Sequence, residues 1–412
     1  LTHDHYQELA QAVIRERNTP ADGGYTFHDA TYPHWGEEID ADTFSQMNEA
    51  CSLPVAVKGA LMPDAHVGYG LPIGGVLATK DAVIPYAVGI DIACRVMVSI
   101  YDMPASELKR NRTRLEQILY KNTQFGLGAD WERPKNHEVM DQDWDVTPRT
   151  STLKDKAWRQ LGTSGSGNHF VEFGEISFPE DFQGVPAGEY VALVSHSGSR
   201  GPGAKVALHY CALAQDLHPK LPGKKRHLAW LDMNAEGAEY WEAMQLMGAY
   251  ASANHHVIHR DISKALSQNR LAQFENHHNF AWKEVHGGEE LIVHRKGATP
   301  AAKGEIGYIP GSMLAPGFLV EGLGNEESLC SSAHGAGRLL SRKQAKRTTT
   351  MHALKKLLHE NGVWLMSAGL DEAPHAYKDI RAVMAAQEDL VEKRATFQPR
   401  VVRMAPDEDE RQ

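Results

Sequence analysis

The 412-residue chain is most informative at first in what it has little of. Its four cysteines, Cys51, Cys94, Cys211 and Cys330, are scattered without zinc-finger spacing and are too few for a disulfide framework. A reducing compartment, the cytoplasm, is therefore expected. No apolar run approaches membrane-spanning length, and the opening LTHDHYQELA lacks the basic-then-apolar order of a secretory signal, so no membrane association is expected. Positive charge is not in excess: the formal net charge is −10. That balance excludes indiscriminate coating of nucleic acid, yet it allows the local basic groove a nucleic-acid enzyme needs. Low-complexity segments, internal repeats and long linkers are missing, which excludes repeat arrays and tethered modules. No Walker A sequence is present either, which argues against a P-loop enzyme.

What is abundant is glycine, 36 residues, and histidine, 22 residues. Helical periodicity is clearest over Ala105 to Lys121, Ala238 to Leu266, Arg342 to His359 and Tyr377 to Arg394. Within the second, Tyr240, Met244, Met247, Ala251 and Ile258 recur on one face and are expected in the core. Short β-type runs, GGVLAT, RVMVSIY, YVALVSH, ELIVHR and PRVVRM, punctuate the remainder. The polar stretch Asp130 to Asp155, with two prolines, reads as a surface excursion within one continuous domain.

Several of these β-type runs adjoin loops rich in glycine or histidine, the places where chemistry is commonly mounted on a rigid scaffold. MPDAHVGYGLPIGGVLAT carries Asp64 and His66 ahead of four glycines, and VGIDIACRV sets Asp91 three residues before Cys94. LGTSGSGNHFVEF holds Asn168, His169 and Glu172; SHSGSRGPG holds His196 and Arg200; ENHHNFAW holds His277 and His278. CSSAHGAGR surrounds His334 with alanine, serine and glycine, and Arg338 follows four residues later. Each loop has an ordinary explanation. Asp91 can cap a helix, Cys94 can be a small buried apolar group, single histidines are commonly satisfied core residues, and glycines serve turns. Together, a carboxylate, a thiolate and several imidazoles form a credible transition-metal set, since cysteine excludes a purely oxygen-ligated magnesium or calcium cage. The glycine, serine, lysine and arginine content suits phosphate binding by backbone N–H groups and cations. The residues by themselves thus lead to a dimetal, phosphate-handling enzyme.

Nine motifs in order, MPDAHVGYGLPIGG, GNHFVE, HSGSRG, HHN, RKGA, IPGSM, GLGNEES, HGAGR and YKDI, resemble those of the RtcB family of GTP-dependent RNA ligases. The resemblance runs from about Trp35 to the C-terminal strand. It implies a single catalytic domain over 35–412, with 1–34 as a separate N-terminal segment. The implied fold is the family's α/β architecture, with sheets and helices around a central dimetal cleft. One departure is Arg95 directly after Cys94, where the family usually has glycine. It puts an extra cation beside the expected metals.

By resemblance, Asp91, Cys94, His169, His196 and His278 correspond to ligands of two manganese ions, with Cys94 between them. Asn168, Glu172, Ser312 and Lys378 correspond to the residues that hold the guanine nucleotide, Lys378 at the base. Arg200, Lys296 and Arg338 correspond to cations for the phosphates of GTP or RNA, and His334 to the histidine that is guanylylated. The implied reaction joins RNA 3′-phosphate or 2′,3′-cyclic phosphate ends to 5′-hydroxyl ends in tRNA splicing or RNA repair, with an archease-type activator as a further partner. A metal-dependent phosphoesterase or nuclease, and a weakly active RNA-binding repair paralogue, are the alternative classes. His334 as nucleophile requires that one ring nitrogen be unprotonated and that the other have a partner, which the motifs do not identify.

Overall fold

The computed structural model describes residues 24–406. The N-terminal segment expected over 1–34 therefore lies largely outside the described residues. Two sheets organise the chain. The first is a four-stranded antiparallel sheet in the order Ala56–His66, Ile73–Thr79, Glu289–Lys296, Asn279–His286. The second runs Ile306–Ile309, Gly317–Gly322, Val391–Met404, Phe170–Phe178, Gly188–Ser197, Arg95–Pro104, Arg270–His277, with Trp364–Ser367 added in parallel to Val391–Met404. Its two ends meet at Asn276, whose side-chain oxygen accepts from Tyr308 N–H at 2.9 Å and whose amide donates to the Tyr308 carbonyl at 3.4 Å. The larger sheet is therefore curled into a nearly closed barrel, an α/β architecture with helices outside.

Alternation along Arg95–Pro104 shows why it sits centrally. Val96, Val98 and Ile100 pack inside the curl with Ala192, Val194, Leu319 and Phe397. Tyr101 and Met103 pack outside with Leu115, Leu119, Ile258 and Ile262. The helix Glu236–Leu266 supplies the outer cover, and Tyr240, Met244, Met247, Ala251 and Ile258 are all buried as its periodicity requires.

Three expectations are corrected. The helix read over Tyr377 to Arg394 is confined to Ile380–Ala385, and Val391–Met404 is a strand. Glu392, Lys393 and Arg394 are good helix formers, but pairing with Gly317–Gly322 overrides propensity. The helix over Arg342 to His359 is two helices, Arg342–Thr348 and Met351–Glu360, because Thr350 turns its hydroxyl to cap the second at Ala353 N–H. The stretch from Asp130 to Asp155 is not a mere excursion: Val139, Met140, Trp144 and Leu153 fold inward into the main core. A capping box at Thr147 and Thr150 supports that inward turn. The helices Ala41–Cys51 and Arg200–Leu217 were not anticipated.

Candidate active site

Strand register gathers the ligand-type residues. Arg95 pairs with both Ser197 and His277, and Phe170 pairs with His196. Antiparallel neighbours thereby deliver Cys94, His169, His196 and His278 to one end of the curled sheet. His278 sits at the break between the two sheets, where its N–H donates to the Cys94 carbonyl at 3.0 Å and its carbonyl accepts from Gly297 N–H at 2.7 Å. Ala93, at φ 55° and so in the left-handed region, makes the tight turn that brings Asp91 beside Cys94. Gly198 is required there, since any β-carbon would collide with the Asp91 carboxylate.

The donors converge closely. Cys94 Sγ lies 3.4 Å from His169 Nε2 and 3.1 Å from His196 Nε2, and His196 Nε2 lies 3.3 Å from His278 Nε2. Asp91 Oδ2 is 3.0 Å from His169 Nε2. The ring Nδ1 atoms of His169 and His196 face the carbonyls of Ser164 (3.0 Å) and Asn168 (3.1 Å), so each Nδ1 carries the proton. Their Nε2 atoms then face Cys94 Sγ, with Asp91 Oδ2 and His278 Nε2 beside them, an array of ligand-type atoms. A cation is the group this donor set lacks, and Cys94, His169 and His196 can hold a metal ion. Burial pushes His196 down to about 3 and His278 well below the usual imidazole range, so both stay neutral and ligand-competent. Burial alone would raise the Asp91 carboxyl, but His169 outweighs it and holds Asp91 at about 2. Burial and the Asp91 charge push the Cys94 thiol well up, a shift that coordination of a divalent ion would reverse.

His334 lies alongside, its ring centroid 4.8 Å from that of His278. Asp64, fully buried, accepts from His334 Nδ1 at 2.6 Å and from the backbone N–H groups of His334 (3.1 Å) and Gly335 (3.2 Å). The Asp64 bond holds a proton on Nδ1 and leaves Nε2 as the ring nitrogen not engaged with it. The small neighbours have a steric reason: a β-carbon on Gly297 would come 3.1 Å from His334 Cε1, and one on Gly337 would collide with the Asp64 carbonyl.

One cavity joins these groups. Asp91, Cys94, His169, His196, His278 and His334 line it, together with Asn168, Glu172, Ser312, Lys296 and Arg338. Glu172 is buried, and burial pushes its carboxyl well up. Lys296 is also buried, which brings its ammonium down to about 8. Arg338 is held by the Asp371 carbonyl at 2.6 Å, by Glu372 at 3.3 Å and against the Tyr377 ring. Two expected residues do not line the cavity. Lys378, next to the lining residue Tyr377, turns away and donates to the carbonyls of Pro63 (3.1 Å) and Ala65 (2.9 Å). Arg200 lies behind the metal-type donors, donating to Thr163 Oγ1 at 3.4 Å with its Nη1 at 3.4 Å from His169 Nδ1. Arg95 is not beside the donors: its guanidinium reaches Glu275 at 3.0 Å and the Gly248 carbonyl at 3.3 Å on the helix side of the sheet. Cavity residues that the motifs did not single out for roles are His66, Asn279, Arg342, Glu372 and Tyr377. Asp64 was visible in MPDAH, but its partner was not.

A family model described as tRNA-splicing ligase RtcB matches residues 46–405. The RNA-splicing ligase RtcB of Escherichia coli K12 is 36% identical over 397 residues, covering 87% of this chain and 92% of that protein. The tRNA-splicing ligase RtcB of Thermococcus kodakarensis is 31% identical, covering 83% and 86% respectively. The RNA-splicing ligase RtcB of Mycobacterium bovis is 29% identical, covering 86% and 98%. A family match over most of its length, with a relative 36% identical that is covered to 92%, shows that the chain belongs to the RtcB family of RNA-splicing ligases.

Proposed function

We propose that the chain joins RNA 3′-phosphate or 2′,3′-cyclic phosphate ends to 5′-hydroxyl ends, with GTP as co-substrate and His334 as the covalent carrier of GMP. The observation that carries this reading is the Asp64–His334 pair beside the buried Cys/His cluster in one cavity. A buried carboxylate behind a histidine also serves hydrolases; what favours ligation is the same pair in a chain of this family.

With Nδ1 held by Asp64, His334 Nε2 attacks the α-phosphorus of GTP and pyrophosphate leaves. Water hydrolyses a cyclic RNA end to a 3′-phosphate and a 2′-hydroxyl, and an oxygen of that 3′-phosphate takes GMP as the His334 N–P bond breaks. The 5′-hydroxyl of the second strand then displaces GMP, so the original phosphate becomes the junction. Asp91, Cys94, His169, His196 and His278 would hold two manganese ions, with Cys94 shared, and these would neutralise developing charge on the phosphates. Lys296 and Arg338 are suited to the phosphates, with Arg200 supporting the donors from behind. Asn168, Glu172 and Ser312, which line the same cavity, would hold the nucleotide. The buried, protonation-prone Glu172 carboxyl offers both a donor and an acceptor to a base edge. Lys378 contributes by tying down the Pro63–Ala65 backbone around Asp64. In this reading 35–412 acts as one catalytic domain in the cytoplasm, in tRNA splicing or RNA repair, and an archease-type activator is a fitting partner.

The test follows the phosphate. A strand labelled at its 3′-phosphate, joined to a 5′-hydroxyl strand with GTP and manganese, should keep the label at the junction. Joining that instead requires a 5′-phosphate, or release of the label without joining, contradicts the reading and favours a conventional ligase or a phosphoesterase.

A further inference from the structure

On a fixed loop that adjoins the cavity lining, the chain presents an aromatic ring to solvent. Tyr69 is 74% exposed, the most exposed of the large apolar and aromatic side chains described. Its loop is held at three points. Gln46 pairs with both backbone groups of Gly68, accepting from its N–H at 3.0 Å and donating to its carbonyl at 2.6 Å. The Tyr69 carbonyl accepts from the Lys296 ammonium. Gly70, at φ 72°, lets His227 approach so closely that a β-carbon would lie 2.8 Å from the His227 carbonyl. The loop is thus continuous with the cavity: His66 before it, Ile73 after it and Lys296 beneath it are all lining residues.

His227 belongs to a short segment of concentrated positive charge. HPKLPGKKRH, His218 to His227, contains Lys220, Lys224, Lys225 and Arg226 and no acidic residue, in a chain whose net charge is −10. Gly223–Leu228 is a 3-10 helix, and the His227 ring packs edge-on to Tyr69 and Tyr86 at 6.2 and 5.1 Å between centroids. Lys225 is committed to Glu49 and the Phe27 ring. Lys224 and Arg226 are exposed and make no ion pair among the described residues. An exposed ring packed on a segment that carries two exposed cations is the composition that binds single-stranded nucleic acid, by base stacking and phosphate contact.

We propose that Tyr69 is a stacking platform for a base of single-stranded RNA leaving the cleft, and that Lys224 and Arg226 hold the phosphates next to it. This rests on the RNA-ligation reading and adds to it a surface for RNA outside the reacting ends. The rigid loop sets the ring without the ordering cost of a free side chain, and stacking on it is independent of base identity. The local charge also resolves the apparent conflict between an acidic protein and an anionic substrate.

Three full-length variants test it: Tyr69→Ala, Tyr69→Phe and the double variant Lys224→Ala with Arg226→Ala. GMP-adduct formation without RNA controls for folding and the chemical site, and it should be unchanged in all three, since Tyr69 touches Lys296 only through its backbone carbonyl. Tyr69→Ala should raise the KM for a single-stranded RNA carrying a 3′-phosphate about tenfold, and Tyr69→Phe should restore it. The double variant should reduce the slope of log Kd against log salt by about 1.4, two phosphate contacts on a single strand. Wild type that joins RNA while Tyr69→Ala has the same KM and Kd overturns the platform and leaves the ligase reading standing. A Phe variant as weak as Ala, or loss of the adduct in Tyr69→Ala, also overturns it. Wild type that joins no RNA overturns the ligase reading itself.

Discussion

The buried oxygen of Asp64 is what distinguishes His334 from the other histidines of the cavity. His169 and His196 direct Nδ1 to backbone carbonyls, an arrangement that presents Nε2 for coordination. His334 directs Nδ1 to a carboxylate, which also stabilises the positive ring that forms when Nε2 carries a phosphoryl group. Asp64→Ala removes both the acceptor oxygen and the negative charge, so neither the Nδ1 tautomer nor the ring orientation is held. GMP-adduct formation should slow by about 10²- to 10⁴-fold, by the precedent of a carboxylate behind a catalytic histidine, with metal content unchanged. Quench-flow labelling with radioactive GTP measures the rate, and a loss below about fivefold would remove Asp64 from the mechanism. Lys296 makes a second residue-scale prediction. Burial lowers its ammonium to about 8 in the free protein, so its charge is present below pH 8 and lost above it. The KM for GTP should therefore rise between pH 7 and pH 9 in wild type. Lys296→Arg, whose charge persists throughout, should flatten that rise. A wild-type KM that is level across the range would show that this ammonium does not meet the phosphates.

At the scale of elements, the site depends on keeping two sheet ends in register. Asn276, buried between Arg270–His277 and Ile306–Ile309, bonds both backbone groups of Tyr308 and donates to Thr299 Oγ1 at 3.3 Å. It stands two residues before His278, and Tyr308 lines the cavity near Glu172. Asn276→Ala leaves the Tyr308 N–H buried without an acceptor and should cost about 2 kcal/mol, read from urea unfolding at pH 7. It should also weaken GTP binding by loosening the wall that Tyr308 forms. Asn276→Asp still accepts but sets a buried carboxylate oxygen against the Tyr308 carbonyl, so it should lose more at pH 7 than at pH 5, where protonation restores a donor; a loss independent of pH would contradict this. Elements also show where sequence pattern misleads. RVMVSIY and YVALVSH are strands as their β-branched content requires, because both lie inside the sheet. Val391 to Arg394 follow a helical pattern yet form a strand, since the decisive partner, Gly317–Gly322, is remote in sequence and invisible to local periodicity.

For the molecule as a whole, the site was legible in composition but not in arrangement. Asp91, Cys94, His169, His196, His278 and His334 stood out because reactive side chains sat in small-residue loops beside strands. Their convergence depends on antiparallel register between strands scattered over most of the chain, which no local spacing encodes. The Asp64–His334 pair spans 270 residues, so its partner could not be read from either loop. The position of Lys378 was unreadable for the same reason: whether it or Tyr377 faces the cavity is set by the carbonyls of Pro63 and Ala65. The central claim is that His334 carries GMP, and intact mass spectrometry with peptide mapping tests it most directly. After incubation with GTP and manganese, wild type should gain one GMP on the peptide containing His334, and His334→Ala should gain none while keeping the wild-type metal content. A GMP adduct on the alanine variant, or one mapped to another residue in wild type, would contradict the account.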